Sequence, residues 1–301
     1  MPTQIEWCDE TWNPVTGCTR VSPGCANCYI ERTPPFRMAG RRFDRVGNEE
    51  TTGVILHPER LDQPLRWRKP RRVFVCSLAD LFHEAVPRDH IHDVFRTMER
   101  ADRHTFQVLT KRPERALDVL RWLYTCTWCD GDGCVACAEH DAPRGMKSPL
   151  PNVWVGVSIE NARYTWRADV LRQIPAAVLF VSAEPLLSSL FDSDDLKLCP
   201  ECETPLYLGH DPECSGPVVR FRDSLDLAGL NWLICGGESG PGARPMHPEW
   251  ARELRDACQT TSTAFFMKQM GSVWARENGA DSKGGKIDYW PADLRVREMP
   301  A

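Results

Sequence analysis

Outside its cysteines, the chain alternates short apolar runs with stretches whose apolar residues recur every three or four positions. Arg72 to Cys76 predicts a strand. Pro87 to Ala101 predicts a helix, because Ile91, Val94, Phe95 and Met98 fall on one face. Thr105 to Leu109 predicts a strand, and Pro113 to Tyr124 a helix opened by its proline. The order repeats with strand Val153–Val157, helix Asn161–Gln173 and strand Ala177–Val181. It resumes with strand Leu230–Cys235, helix Pro248–Thr260 and strand Ala264–Met267, and Val54 to Leu56 adds a further short strand. Apolar runs buried on both faces, alternating with amphipathic helices, imply parallel strands joined by crossover helices. The expected fold is α/β: a partial (β/α) barrel over residues 1–301, with an open doubly wound sheet as the alternative.

Composition narrows the class. The chain has 301 residues, 42% of them hydrophobic and 26% charged, ordinary values for a globular protein. The longest apolar run, Ala176 to Val181, is far too short to cross a bilayer. No basic segment followed by an apolar stretch opens the chain, so the expected location is cytoplasmic, with no membrane partner. The net charge of −5 excludes coating of nucleic acid by bulk charge, so any such contact must come from local patches. Two segments qualify, Arg37 to Arg45 and Arg66 to Arg72, where arginines are interleaved with Phe or Trp.

Fourteen cysteines are far more than usual. With no export signal, metal or redox chemistry is a better expectation than a disulfide framework. Cys126, Cys129, Cys134 and Cys137 form two C-x-x-C knuckles with glycines between them. Four thiolates at that spacing suit a closed tetrahedral zinc site with Zn–S near ~2.3 Å. Cys199, Cys202, His210 and Cys214 suggest a looser zinc loop. These groups define two metal-stapled insertions, over 124–147 and 196–220. Cys18, Cys25 and Cys28 differ. Their C-x6-C-x2-C spacing lies in a Gly- and Pro-rich loop, and suits an iron–sulfur cluster with one iron left open. A structural zinc with Cys8 as fourth ligand is the other reading.

Barrel enzymes place their sites at the carboxyl ends of strands. Here those ends carry Ser77 and Asp80; Thr110-Lys111-Arg112; Ser158-Ile159-Glu160; Ser182-Ala183-Glu184; Gly236-Gly237-Glu238; and Lys268-Gln269. Such a series is expected to converge on one site. Gly236 and Gly237 would let backbone approach a ligand. Glu160, Glu184 and Glu238 would receive an ammonium or ribose hydroxyls, and Lys111, Arg112 and Lys268 a phosphate or carboxylate.

The blocks Trp12 to Cys18, Pro23 to Tyr29, Asp80 to His83, Leu109 to Pro113, Ser182 to Pro185, Gly236 to Gly240 and Phe266 to Gln269 together resemble a phage and prophage family. It is the three-cysteine-motif family, itself similar to radical S-adenosylmethionine (SAM) enzymes. The matching blocks run from about Trp12 to Gly271. The resemblance implies a partial barrel with a [4Fe–4S] cluster on Cys18, Cys25 and Cys28, whose open iron binds SAM. SAM would then be cleaved to a 5′-deoxyadenosyl radical that abstracts hydrogen from a substrate of nucleic-acid or nucleotide type. Ser158, Glu160, Ser182, Gly236, Gly237 and Glu238 would hold the cofactor, with Glu184, Lys111 and Lys268 catalytic. Trp12, Tyr29 and Phe82 would pack by the cluster loop. An external one-electron reductant and a partner protein from a neighbouring gene are also implied. The competing expectation is a zinc-stabilised nucleic-acid-binding protein without redox chemistry.

Overall fold

The computed structural model describes residues 3, 5–43, 51–125, 146, 149–191 and 224–300. The proposed zinc ligands Cys126, Cys129, Cys134, Cys137, Cys199, Cys202, His210 and Cys214 therefore lie outside the described residues. Nine strands are described: β1 (Glu10–Trp12), β2 (Val15–Thr16), β3 (Ile55–Leu56), β4 (Arg72–Val75), β5 (Thr105–Thr110), β6 (Val153–Ser158), β7 (Val178–Ala183), β8 (Trp232–Gly236) and β9 (Ala264–Gln269). Seven of them, all but β2 and β3, follow one another in chain order in one sheet, as a partial (β/α) barrel requires.

The chain divides into two compact units. The first comprises residues 1–158 and 170–182. Its parallel pairing runs β1 to β4 (Glu10 opposite Val73), β4 to β5 (Arg72 opposite Thr105), β5 to β6 (Phe106 opposite Val153) and β6 to β7 (Trp154 opposite Val178). The helices here are α1 (Pro34–Met38), α2 (Arg88–Arg100) and α3 (Pro113–Tyr124). The apolar stripe read from the sequence is the buried face of α2: Ile91, Val94, Phe95 and Met98 have no exposed surface. On α3 the corresponding stripe is Ala116, Val119, Leu120 and Leu123. Each large side chain so buried contributes roughly 1.5–3 kcal/mol.

The second unit comprises residues 159–169 and 183–301. It pairs β8 with β9 in parallel, Trp232 opposite Ala264, with an irregularity at Cys235/Gly236. A short helix α4 (Trp166–Leu171) spans the division of the chain; α5 (Pro248–Thr261) and α6 (Ser272–Glu277) belong to the second unit. The C-terminal segment lies along β9: Met267 N–H donates to the Val296 carbonyl (2.8 Å) and Glu298 N–H to that of Phe265 (2.9 Å). Arg297 stacks over both Phe266 and Trp290.

Three expectations change. β1 was not read as a strand, yet it opens the sheet. Val54–Leu56 does not join the parallel sheet; Ile55–Leu56 pairs antiparallel with β2. The helix expected over Asn161–Gln173 is a single 3-10 turn (Ala162–Tyr164) followed by α4. Thr165 accounts for the break, since its hydroxyl donates to the Ala162 carbonyl (2.9 Å) and competes with helical bonding. Among the described residues, no helix is long and apolar enough to cross a membrane.

Packing at Gly156 on β6 is unusually close: a Cβ there would come within 2.5 Å of the buried Phe180 ring. Gly156→Ala is expected to destabilise the protein by about 1–3 kcal/mol. Adding Phe180→Leu should restore part of that loss in chemical denaturation. Full additivity of the two losses would refute the contact.

Candidate functional site

The cysteine loop grows from the end of β1 and is held to the rest of the first unit by backbone. Gly17 N–H donates to the Leu78 carbonyl (2.8 Å) and Thr52 N–H to that of Cys18 (3.0 Å). Gly17 must be glycine: its φ is +98°, and a Cβ would overlap the Gly53 carbonyl oxygen at 1.7 Å. Arg41 closes the same turn by donating to the Thr52 (3.1 Å) and Gly53 carbonyls.

Beneath the loop lies a buried carboxylate, Asp80, only 5% exposed. It accepts from Thr110 Oγ1 (2.8 Å), Lys111 N (3.0 Å), Phe82 N (3.0 Å) and Arg112 Nη1 (3.2 Å). Arg112 is equally enclosed and reaches in four directions. Its Nε donates to Glu84 (2.9 Å), Nη1 to Asp80, Nη2 to the Thr19 carbonyl (3.2 Å), and Nη1 lies 3.8 Å from Cys18 Sγ. Burial disfavours the guanidinium charge, but Asp80, Cys18 and Glu84 outweigh it and hold Arg112 protonated above its usual value. His83 completes the floor, bonded to Thr19 Oγ1 at 2.9 Å.

Cys25 lies within electrostatic reach of both Cys18 and Cys28. Burial, reinforced by the charge of Asp80, pushes the Cys18 thiol up to about 12. Burial likewise raises Cys28, opposed in part by Lys111 and Arg20. Without a bound cation these two are neutral thiols, and thiolates here would need added positive charge. An iron–sulfur cluster supplies that charge, so the donor chemistry fits one. Cys8, the fourth ligand of the zinc reading, is buried just before β1. Among the described residues, no three His, Cys, Asp or Glu side chains stand together as ligands for a single metal ion.

Trp12 and Phe82 are fully buried, but Tyr29 is 51% exposed, its hydroxyl donating to the Ser77 carbonyl. Tyr29 therefore does not wall the loop from water. Ser158 and Ser182 stand opposite each other on β6 and β7, both buried.

In the second unit each glutamate singled out from the sequence has its own cation. Glu160 is wholly buried against Arg167 (3.0 Å), and its carbonyl accepts from Leu187 N (2.7 Å). Glu238 accepts from Arg244 through both oxygens (2.6 and 2.9 Å). Glu184 pairs with Lys268. Its carboxylate is the most accessible of the three, at 19% exposure against 0% and 7%. The glycine pair has an internal cause. A Cβ on Gly237 would sit 2.4 Å from the Met270 carbonyl oxygen, so the chain itself makes the close approach. Gly237 N–H donates to the Gln269 carbonyl (2.9 Å), and Gln269 Nε2 returns a bond to the Gly237 carbonyl (2.8 Å).

Sequence reasoning places Asp80 among the converging strand-end residues but passes over Glu84, and it assigns Arg112 to substrate rather than to Asp80. The signal was present in Asp80-Leu-Phe-His83 and Thr110-Lys-Arg112, but their joining is a long-range event. Gly237→Ala is expected to lower stability by about 1–3 kcal/mol with no ligand present; unchanged stability would return this glycine to ligand approach. Asp80→Asn should cost about 3–5 kcal/mol, because it strands a buried guanidinium. Arg112→Met should cost a similar amount. In the double variant the losses should fall short of their sum by about 1 kcal/mol or more, and strict additivity would refute the pairing.

A family described as a protein of unknown function, DUF5131, matches residues 2–291. A solved structure of a spore photoproduct lyase mutant superposes with a TM-score of 0.40 at 13% identity, covering 89% of this chain and 78% of its own. A likeness that slight carries no argument about activity. Comparison with curated proteins finds no match. With nearly its whole length matched by that one family pattern, the chain belongs to the DUF5131 family.

Proposed function

We propose that this protein is an iron–sulfur enzyme of the radical SAM type, acting on a substrate of nucleic-acid or nucleotide class. The observation that carries this reading is the loop itself: Cys28 N–H donates to the Cys25 carbonyl (3.2 Å), and Cys18 Sγ lies 3.8 Å from Arg112, whose guanidinium is held by Asp80 (3.2 Å). Cys18, Cys25 and Cys28 would hold a [4Fe–4S] cluster, which, charged by an external one-electron reductant, would supply the electron for cleavage of SAM to methionine and a hydrogen-abstracting 5′-deoxyadenosyl radical.

The chain's own residues have the remaining tasks. Arg112 donates toward Cys18 Sγ, a contact that stabilises a thiolate and raises a cluster's reduction potential. Lys111 places positive charge near Cys28 while its backbone is fixed by Asp80. Trp12 and Phe82, both fully buried, are assigned to excluding water from the loop. Glu184 and Lys268 are assigned to substrate because, of the three strand-end glutamates, Glu184 is the most accessible and Lys268 is its partner. Ser158, Ser182 and Glu238 with Arg244 are assigned to SAM. Glu160, closed off with Arg167, is assigned to holding the 159–169 segment rather than to direct contact.

The test is metal content and the visible spectrum after anaerobic purification, for the wild type and for Cys18/Cys25/Cys28→Ala. The expected result is about four irons per chain and a brown protein, both lost in the triple variant, with SAM cleaved under reductant by the wild type alone. Zinc without iron, falling by one equivalent in the variant, would overturn the radical reading and leave a metal-stabilised nucleic-acid-binding protein.

A further inference from the structure

We infer that the surface formed by Arg32, Arg37 and Arg42, contiguous in sequence with the cysteine loop, docks the phosphodiester backbone of a single-stranded nucleic acid. This rests on the nucleic-acid part of the proposed function but not on its radical chemistry.

Residues 20–43 carry five arginines against one glutamate, a local charge of +4 in a chain of net −5. The structure sorts these arginines into two sets. Arg20 and Arg41 are structural: Arg20 donates to the Ala26 carbonyl (3.2 Å) and stacks on Phe43 at 4.4 Å, and Arg41 closes the Gly17 turn and stacks on Phe36 at 4.4 Å. Arg32, Arg37 and Arg42 are exposed and line, with Glu31, a cavity of about 290 Å³. Glu31 accepts from Phe43 N at 3.1 Å, and its single negative charge against three arginines leaves the lining net positive. Arg37 and Arg42 have no ion-pair partner among the described residues. Three guanidiniums around one concavity match the tetrahedral, multiply accepting phosphate group.

The same comparison removes the other basic segment. Arg66 is paired with Asp62 (2.6 Å), Arg71 with Glu10 (2.6 Å) and Arg72 with Asp9 (3.0 Å), and Arg71 also lies over the Trp67 ring. Those charges are compensated within the fold, whereas Arg37 and Arg42 are exposed with no ion-pair partner among the described residues. Exposed apolar surface accompanies it. Met38, on α1 beside Arg37, is 84% exposed, and Tyr29, next to Cys28, is 51% exposed. Such groups offer bases a surface to lie against. A concave, arginine-lined site with neighbouring stacking surface favours a nucleic-acid strand over an acidic protein, which needs a broad flat face.

The experiment is fluorescence anisotropy of a labelled single-stranded oligonucleotide with full-length protein across a salt series. It compares the wild type, Arg32/Arg37/Arg42→Gln and a control, Arg66/Arg68→Gln. Circular dichroism confirms that all three fold. The wild type should bind, and the first variant should lose about tenfold or more in affinity near ~0.1 M salt. The slope of log K against log salt should fall by about 2, the value for three phosphate contacts on a single strand. The control should bind as the wild type does. Absence of wild-type binding, an unaltered slope in the first variant, or equal loss in the control would each overturn the assignment. So would binding of a mononucleotide as tight as that of the strand, or competition by polyglutamate at equal charge, which would identify a small ligand or an acidic protein instead. Iron content and SAM cleavage are read separately, so failure here is distinguishable from failure of the cluster assignment.

Discussion

The Asp80 carboxylate is the constraint on which the candidate site of the first unit depends. It sits where β4 has ended and β5 is ending, and it takes four donors from two segments, Phe82 from its own turn and Thr110, Lys111 and Arg112 from the end of β5. A buried carboxylate with that many donors and a guanidinium beside it is strongly held. Because Arg112 is fixed by Asp80, its remaining donors are aimed at the Thr19 carbonyl and the Cys18 sulfur. The cysteine loop, irregular and rich in Gly and Pro, therefore borrows its definition from a charge pair outside it. A loop of that composition has little cooperative structure of its own.

The second unit follows a related rule with a different outcome. Its three strand-end glutamates are each matched to a cation, but the pairs differ in access to water. Glu160 and Arg167 lie in the interior, where an ion pair is costly to break and serves position rather than chemistry. Glu184 and Lys268 lie near the surface of their unit, where a ligand can compete for either charge. Strand ends thus carry polar residues for two reasons, and burial separates them.

How much of this was legible follows from the range of each interaction. The period of Ile91, Val94, Phe95 and Met98 is a local property, and the helix it implies is the one observed. The bounds of α3 were readable because Pro113 marks its first turn. β1 was missed since three residues, Glu-Thr-Trp, carry no alternation to detect. The Asp80–Arg112 pair spans 32 residues, and nothing in either local sequence announces it. The reason for the Gly236-Gly237 pair was misread because a glycine signals close approach without saying what approaches; here it is Met270. Of the arginines in the two basic segments, only the folded pairing distinguishes those facing inward partners from those facing out.

One consequence of the sheet's strand order remains. A partial barrel does not close on itself, so its first and last strands are edges open to pairing with another chain. Both are blunted here. β1 is only three residues long, and the ion pairs Asp9–Arg72 and Glu10–Arg71 tie it to β4. β9 is covered by its own C-terminal segment, whose residues 296–298 occupy the backbone groups of Phe265 and Met267. The tail therefore acts as a guard against edge-to-edge aggregation, and trimming it would expose a hydrophobic ladder built from Phe265, Phe266 and Met267.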